Sequence, residues 1–90
     1  TGVSGEISNR MGEIMQQMSG TMQVFSITHL PQVASKGKYQ FKVYKEEGAE
    51  GTSTHIKQLT MDERIRELAE MLGGKSLSES ALAHARELLQ

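Results

Sequence analysis

The stretch VFSITHLPQVA, residues 24–34, carries an imidazole at the end of an apolar run. Val24, Phe25 and Ile27 suit a strand covered on both faces, and the run stops at Thr28 and His29, just ahead of Leu30 and Pro31. Ligands of open α/β sheets bind outside the carboxyl ends of parallel strands, so a histidine placed there faces a crevice rather than a core. The plain alternative is a strand-end histidine exposed by chance or bonded to a neighbouring carbonyl, and spacing alone does not choose between the two.

The other reactive side chains form weaker patterns. His29, His55 and His84 show no HxH or HxxxH spacing and the chain has no cysteine, so no metal site is expected. His84 reads as a residue on the polar face of a helix, and His55 as a cross-strand neighbour in a hairpin. Ser26 lies inside the apolar run rather than on a GxSxG elbow, and Asp62, the only Asp, opens a helix, which argues against a nucleophilic triad. TGVSG at residues 1–5 is glycine-rich and precedes a helix, but lacks the lysine and spacing of a phosphate-binding loop. The runs DERIRE and KEE read as solvated faces, with Asp62 and Arg66 at a favourable helical separation.

The elements that must position these residues follow from periodicity and caps. A helix is predicted from Ser4 to Gly20, with Ser4 as cap, Glu6 at the positive end of the dipole and Gly20 as stop. Ile7, Met11, Ile14, Met15 and Met18 form its apolar stripe, and Gly12 either weakens the middle or permits close backbone approach. A buried parallel strand is predicted over residues 22–28, which with the helix makes half of a βαβ unit whose first strand would lie before Thr1. Beyond Pro31, Tyr39, Phe41 and Val43 alternate with Gln40, Lys42 and Tyr44; a loop EGAEG and a return strand STHIKQL complete an antiparallel hairpin. Thr60 and Glu63 have capping-box spacing ahead of a helix with Ile65, Leu68, Ala69 and Leu72 on one face, ended by Gly73 and Gly74. Ser76 and Glu79 repeat that spacing ahead of a last helix bearing Leu77, Leu82, Ala85 and Leu89.

Composition bounds the whole. Ninety residues suit one small domain with a thin core, and six Met with two Phe, two Tyr and no Trp make that core deformable. A formal charge of -1 gives no electrostatic reason to propose direct DNA or anionic-membrane contact, which needs a clustered basic surface. No apolar run approaches the ~20 residues of a membrane span, and the absence of cysteine is compatible with the cytoplasm.

Read in order, TGVSGEI, MGEIMQQMS, MQVFSITHLPQVA, KYQFKVYKEE, THIKQLT, DERIRELAEMLGG and ALAHARELL resemble the C-terminal end of the RecN family, bacterial DNA-repair ATPases of the SMC-like branch of the ABC superfamily. The ITHLPQVA block at its distance from TGVSGEI is the most specific part. The resemblance implies an α/β fold that is part of a P-loop NTPase head: a helix and parallel strand, an antiparallel hairpin and two C-terminal helices. Residues 1–59 would form the helix-and-strand part and residues 60–90 a helical tail. It also implies that Thr1, Gly2, Val3 and Ser4 correspond to the D-loop at a dimer interface, and that His29 matches the switch histidine that reaches the γ-phosphate of ATP. Typical D-loops end in Asp, so Ser4 inherits no carboxylate role. A strand-held imidazole can hydrogen-bond a terminal phosphate with little reorganisation.

The chain has no phosphate-binding loop, signature motif, Walker B acids or coiled-coil arms. Its expected partners are therefore the N-terminal half of the head and a second head in a homodimer, with ATP and Mg2+ bound in the parent, none by this segment alone, and DNA met through other parts. The resemblance implies a bacterial, cytoplasmic, nucleoid-associated parent. The rival reading is a non-enzymatic association module whose apolar stripes bind a partner chain; either way, self-association is expected.

Overall fold

A computed structural model describes residues 4–74 and 76–90. Helix α1 spans Gly5–Met18, α2 Pro31–Ala34, strand β1 Phe41–Gly48, β2 Gly51–Gln58, α3 Met61–Gly73 and α4 Glu79–Leu88. Ser4 caps α1 as its sequence promised: its hydroxyl accepts from the Ile7 amide at 3.3 Å. Thr60 and Glu63 close a full capping box on α3, each side chain accepting from the other's backbone amide. The cap of α4 lies two residues later than its spacing suggested: Ser78, not Ser76, accepts from the Ala81 amide. Gly74, at φ 78°, ends α3 in a backbone conformation that a side chain disfavours.

The hairpin forms in the expected alternation, with Phe41 opposite Gln58, Val43 opposite Ile56 and Tyr44 opposite His55. EGAEG is tighter than a free loop, because Gly48 pairs with Gly51 and only Ala49 and Glu50 make the turn. One face of the hairpin lies toward α3, joined by ion pairs Lys42–Glu67 and Lys57–Glu63. The other face, with Phe41, Val43 and Ile56, is exposed.

The main core cluster lies between α3 and α4, where Leu68, Ala69, Ala81 and Ala85 are buried and Ala34, Ile65, Leu72, Leu82 and Leu89 pack around them. Val33 and Leu59 are buried as well. The α3 face is the one its periodicity indicated. Helix α1 behaves otherwise. It meets α2 through Ser8 and Gly12, while Ile7, Met11, Ile14 and Met18 of the expected stripe are exposed. A Cβ at Gly12 would stand 2.7 Å from the Gln32 carbonyl oxygen and 2.9 Å from Lys36 Cγ, so close backbone approach is why glycine is needed there.

The parallel strand expected over residues 22–28 does not form. Residues 23–28 carry no regular structure, and the two strands that pair among the described residues are β1 and β2. Phe25 is 86% exposed and Ile27 105%. The physical reason is that apolar side chains alone do not make a strand: its amides and carbonyls need a neighbouring strand, and none of the described residues supplies one here.

Candidate functional site

His29 sits at the junction of the 23–28 ribbon with α2. Its side chain is exposed, on a bend rather than at the end of a strand, which corrects its expected setting while leaving it at the mouth of the segment. The turn behind it is well defined. Thr28 Oγ1 accepts from the Leu30 amide at 3.0 Å, Leu30 occupies the N-cap, and Pro31 takes the first helical position, where its missing N–H does no harm. Pro31 and Val33 are buried, so the segment that carries His29 is anchored inward while the imidazole points to solvent.

The start of α1 borders the same region. The Gln32 side-chain amide lies 3.7 Å from where a Cβ on Gly5 would stand. Of the residues matched to the D-loop, Ser4 is the cap of α1, whereas Thr1, Gly2 and Val3 lie outside the described residues. The other two histidines take the settings read for them. His55 stacks on Tyr44 with ring centroids 5.4 Å apart and its Nε2 is 3.0 Å from Ser53 Oγ, and His84 is exposed on α4. Among the described residues no group of three His, Asp or Glu side chains is placed to hold a metal ion.

Arg64 is the residue that sequence reasoning missed. Placed in DERIRE among solvated charges, it is 7% exposed. Its Nη2 donates to the carbonyls of Gly37 at 2.9 Å, Ala34 at 3.3 Å and Ser35 at 3.4 Å; Nη1 donates to that of Lys38 at 3.5 Å and Nε to Gln40 Oε1 at 3.1 Å. The acceptors include the last carbonyls of α2, where the helix dipole favours a cation. Burial lowers the Arg64 pKa from its usual value, yet the ring of carbonyl oxygens satisfies the guanidinium without a carboxylate partner. The spacing does carry a hint, since Arg64 stands four residues before Leu68 and so on the buried stripe. Glu63 and Glu67 of the same run are likewise engaged, each holding a hairpin lysine.

Open clefts among the described residues flank this framework. One of about 480 Å³ is lined by residues including Gln16, Lys36, Lys38, Arg64 and Gln90, and one of about 430 Å³ lies between the hairpin and α3. Neither includes His29, so neither is a ready-made phosphate site around the imidazole. No helix among the described residues is long and apolar enough to cross a membrane.

No protein-family model matches the chain. Curated relatives do. The chain is 42% identical over 88 residues to DNA repair protein RecN of Vibrio cholerae, 42% identical over 88 residues to that of Haemophilus influenzae, and 41% identical over 88 residues to that of Deinococcus radiodurans. Each match covers 98% of this chain, and 16%, 16% and 15% of the respective relative. The chain therefore spans about one sixth of the length of the curated relatives it matches.

Proposed function

Because this chain belongs to the RecN family, we propose that it works as part of the ATPase head of a DNA-repair protein, completed by the rest of a longer polypeptide and by a second head. In this reading His29 contributes an N–H to the terminal phosphate of the substrate ATP and stabilises the charge that develops there during transfer. The observation that carries the reading is the setting of His29: a solvent-facing imidazole on a segment whose next residues, Pro31 and Val33, are anchored in the interior. Such an anchor lets the ring meet a phosphate without reorganising its backbone.

The residues present fit one contact to a phosphate, not a whole nucleotide site. The described side chains offer no cluster of metal ligands, so no step is assigned to magnesium on this segment. Backbone amides and a lysine that cradle phosphates have to come from elsewhere in the polypeptide. The exposed ribbon with Phe25 and Ile27, the α1 stripe and the hairpin face with Val43 and Ile56 are the surfaces the rest of the head would cover. The 23–28 ribbon would become the parallel strand that its composition suggests, once a neighbouring strand supplies hydrogen bonds.

The test is His29→Ala in a full-length RecN polypeptide bearing this segment. Single-turnover ATP hydrolysis falls by about a hundredfold or more while nucleotide binding changes much less, the signature of a contact made chiefly in the transition state. Unchanged single-turnover hydrolysis removes His29 from the mechanism. The same exposed apolar faces favour a second reading, a non-enzymatic association module. Under that reading a full-length polypeptide bearing this segment has no ATPase activity at all, whereas the first reading requires it.

A further inference from the structure

Helix α2 has four residues, too few to hold itself together in water. Its N-cap residue, Leu30, makes no side-chain cap bond, and the α2 backbone relies on the bonds from Val33 and Ala34 to Leu30 O and from Ser35 to Pro31 O. What holds it must come from outside. On one side Gly12 of α1 lets the Gln32 carbonyl approach; on the other, the Arg64 guanidinium reaches the carbonyls of Ala34, Ser35, Gly37 and Lys38 together with Gln40. Arg64 stands on α3, and the backbone of α3 is fixed by Leu68 and Ala69 in the core. The guanidinium thus ties the short helix that begins two residues after His29 to the best-packed part of the molecule.

We infer that Arg64 is a positioning residue for His29, its fork of donors to the 34–38 carbonyls and Gln40 setting where α2, and with it the imidazole, stands relative to α3. This rests on the proposed role of His29. It also gives the helical tail a task beyond stability: a shift of α3 would move the imidazole, because Arg64, alongside the packing of Ala34 on the core, joins α2 to α3. A lysine cannot reproduce the grip, since an ammonium carries three donors on one nitrogen and cannot serve five acceptors shared among the three nitrogens of the guanidinium.

The experiment uses a full-length RecN polypeptide bearing this segment, with Arg64→Lys, Arg64→Met and His29→Ala made singly, and Arg64→Lys also made in the His29→Ala background. Arg64→Lys is expected to lower single-turnover ATP hydrolysis by about tenfold or more with ATP affinity held within about twofold, as for a misplaced group rather than a lost binding contact. Hydrogen exchange at the amides of Val33, Ala34 and Ser35 speeds up, while amides flanking Leu68 keep their protection. In the His29→Ala background Arg64→Lys causes no further loss, because its effect runs through the imidazole. A full additional loss in that background, or unchanged exchange at residues 33–35, overturns the inference. Should Arg64→Met fail to fold, Arg64→Lys carries the test alone. Normal turnover in Arg64→Lys beside a crippled His29→Ala defeats the positioning role and leaves His29 in place, whereas normal turnover in His29→Ala defeats the reading of His29 and the inference with it.

Discussion

Gly12 and Arg64 bracket the same four-residue helix and do opposite things to it: one gets out of its way, the other holds its end. Gly12→Ala would put a Cβ 2.7 Å from the Gln32 carbonyl, a backbone atom that cannot swing aside. The expected cost is about 1–3 kcal/mol of stability, the usual range for overpacking, read as a lowered urea midpoint with faster exchange confined first to α1 and α2. Glycine at this site was legible as one of two options, because an interior helix glycine is tolerated mainly where something comes close. Arg64 was legible only as a hint: its spacing from Leu68 puts it on the buried stripe, but in DERIRE the charges look alike, and the carbonyls folded around the guanidinium are what draw this one inside.

At the scale of elements, the hairpin depends on α3 for its place. Neither of its faces is buried in hydrophobic contact, and Lys42–Glu67, Lys57–Glu63 and the Leu59 amide bonded to the Gln40 carbonyl hold its base. Glu63 serves two partners. The Lys57 ammonium, then the Thr60 amide, pull its pKa from the ordinary 4.5 down to about 2. A carboxyl depressed in the folded state contributes stability that is complete above its unfolded value and disappears as pH falls through the folded one. The contribution therefore fades between about pH 4.5 and 2, because the unfolded chain takes up the proton first. Glu63→Gln, which can still accept from Thr60, should flatten the acid limb of the stability curve in that window; a side-chain carboxyl titration midpoint near 4.5 by NMR would contradict the pairing. The caps at Ser4 and Thr60 were legible because they act within one turn. The missing strand was not, because a strand is a relation between two segments.

The whole molecule is open. It exposes 6933 Å², whereas a compact monomer of this length exposes about 5,200 Å². Its radius of gyration is 14.4 Å, against about 12 Å for a compact chain of this size. The excess on this one chain is about twice the roughly 800 Å² that each partner contributes to a standard protein interface. Much of it is apolar, on the 23–28 ribbon, the α1 stripe and the outer hairpin face. The isolated chain is therefore expected to self-associate, and sedimentation showing a compact monomer throughout the micromolar range would count against this. Phe25→Ser with Ile27→Ser should weaken that association without lowering the stability of the α3–α4 unit, since neither side chain touches its core. Calorimetry on the isolated chain should show no ATP binding in the micromolar range, because a lone imidazole gives one contact to a polyanion that needs a full cradle.

From its residues alone this chain determined its three longer helices, the alternation of its hairpin and the caps at Ser4 and Thr60, because each depends on neighbours a few positions away: Ser4 with Ile7, Thr60 with Glu63; the short helix at Pro31–Ala34 and the cap at Ser78 came with the fold. Its family too was readable, in the order of blocks around ITHLPQVA. Tertiary structure alone decided which face of α1 is covered, which charge of DERIRE goes inside and whether residues 22–28 pair. Those outcomes depend on what approaches from far along the chain, and a residue's own type carries no information about whether a backbone, a carbonyl or water will meet it there.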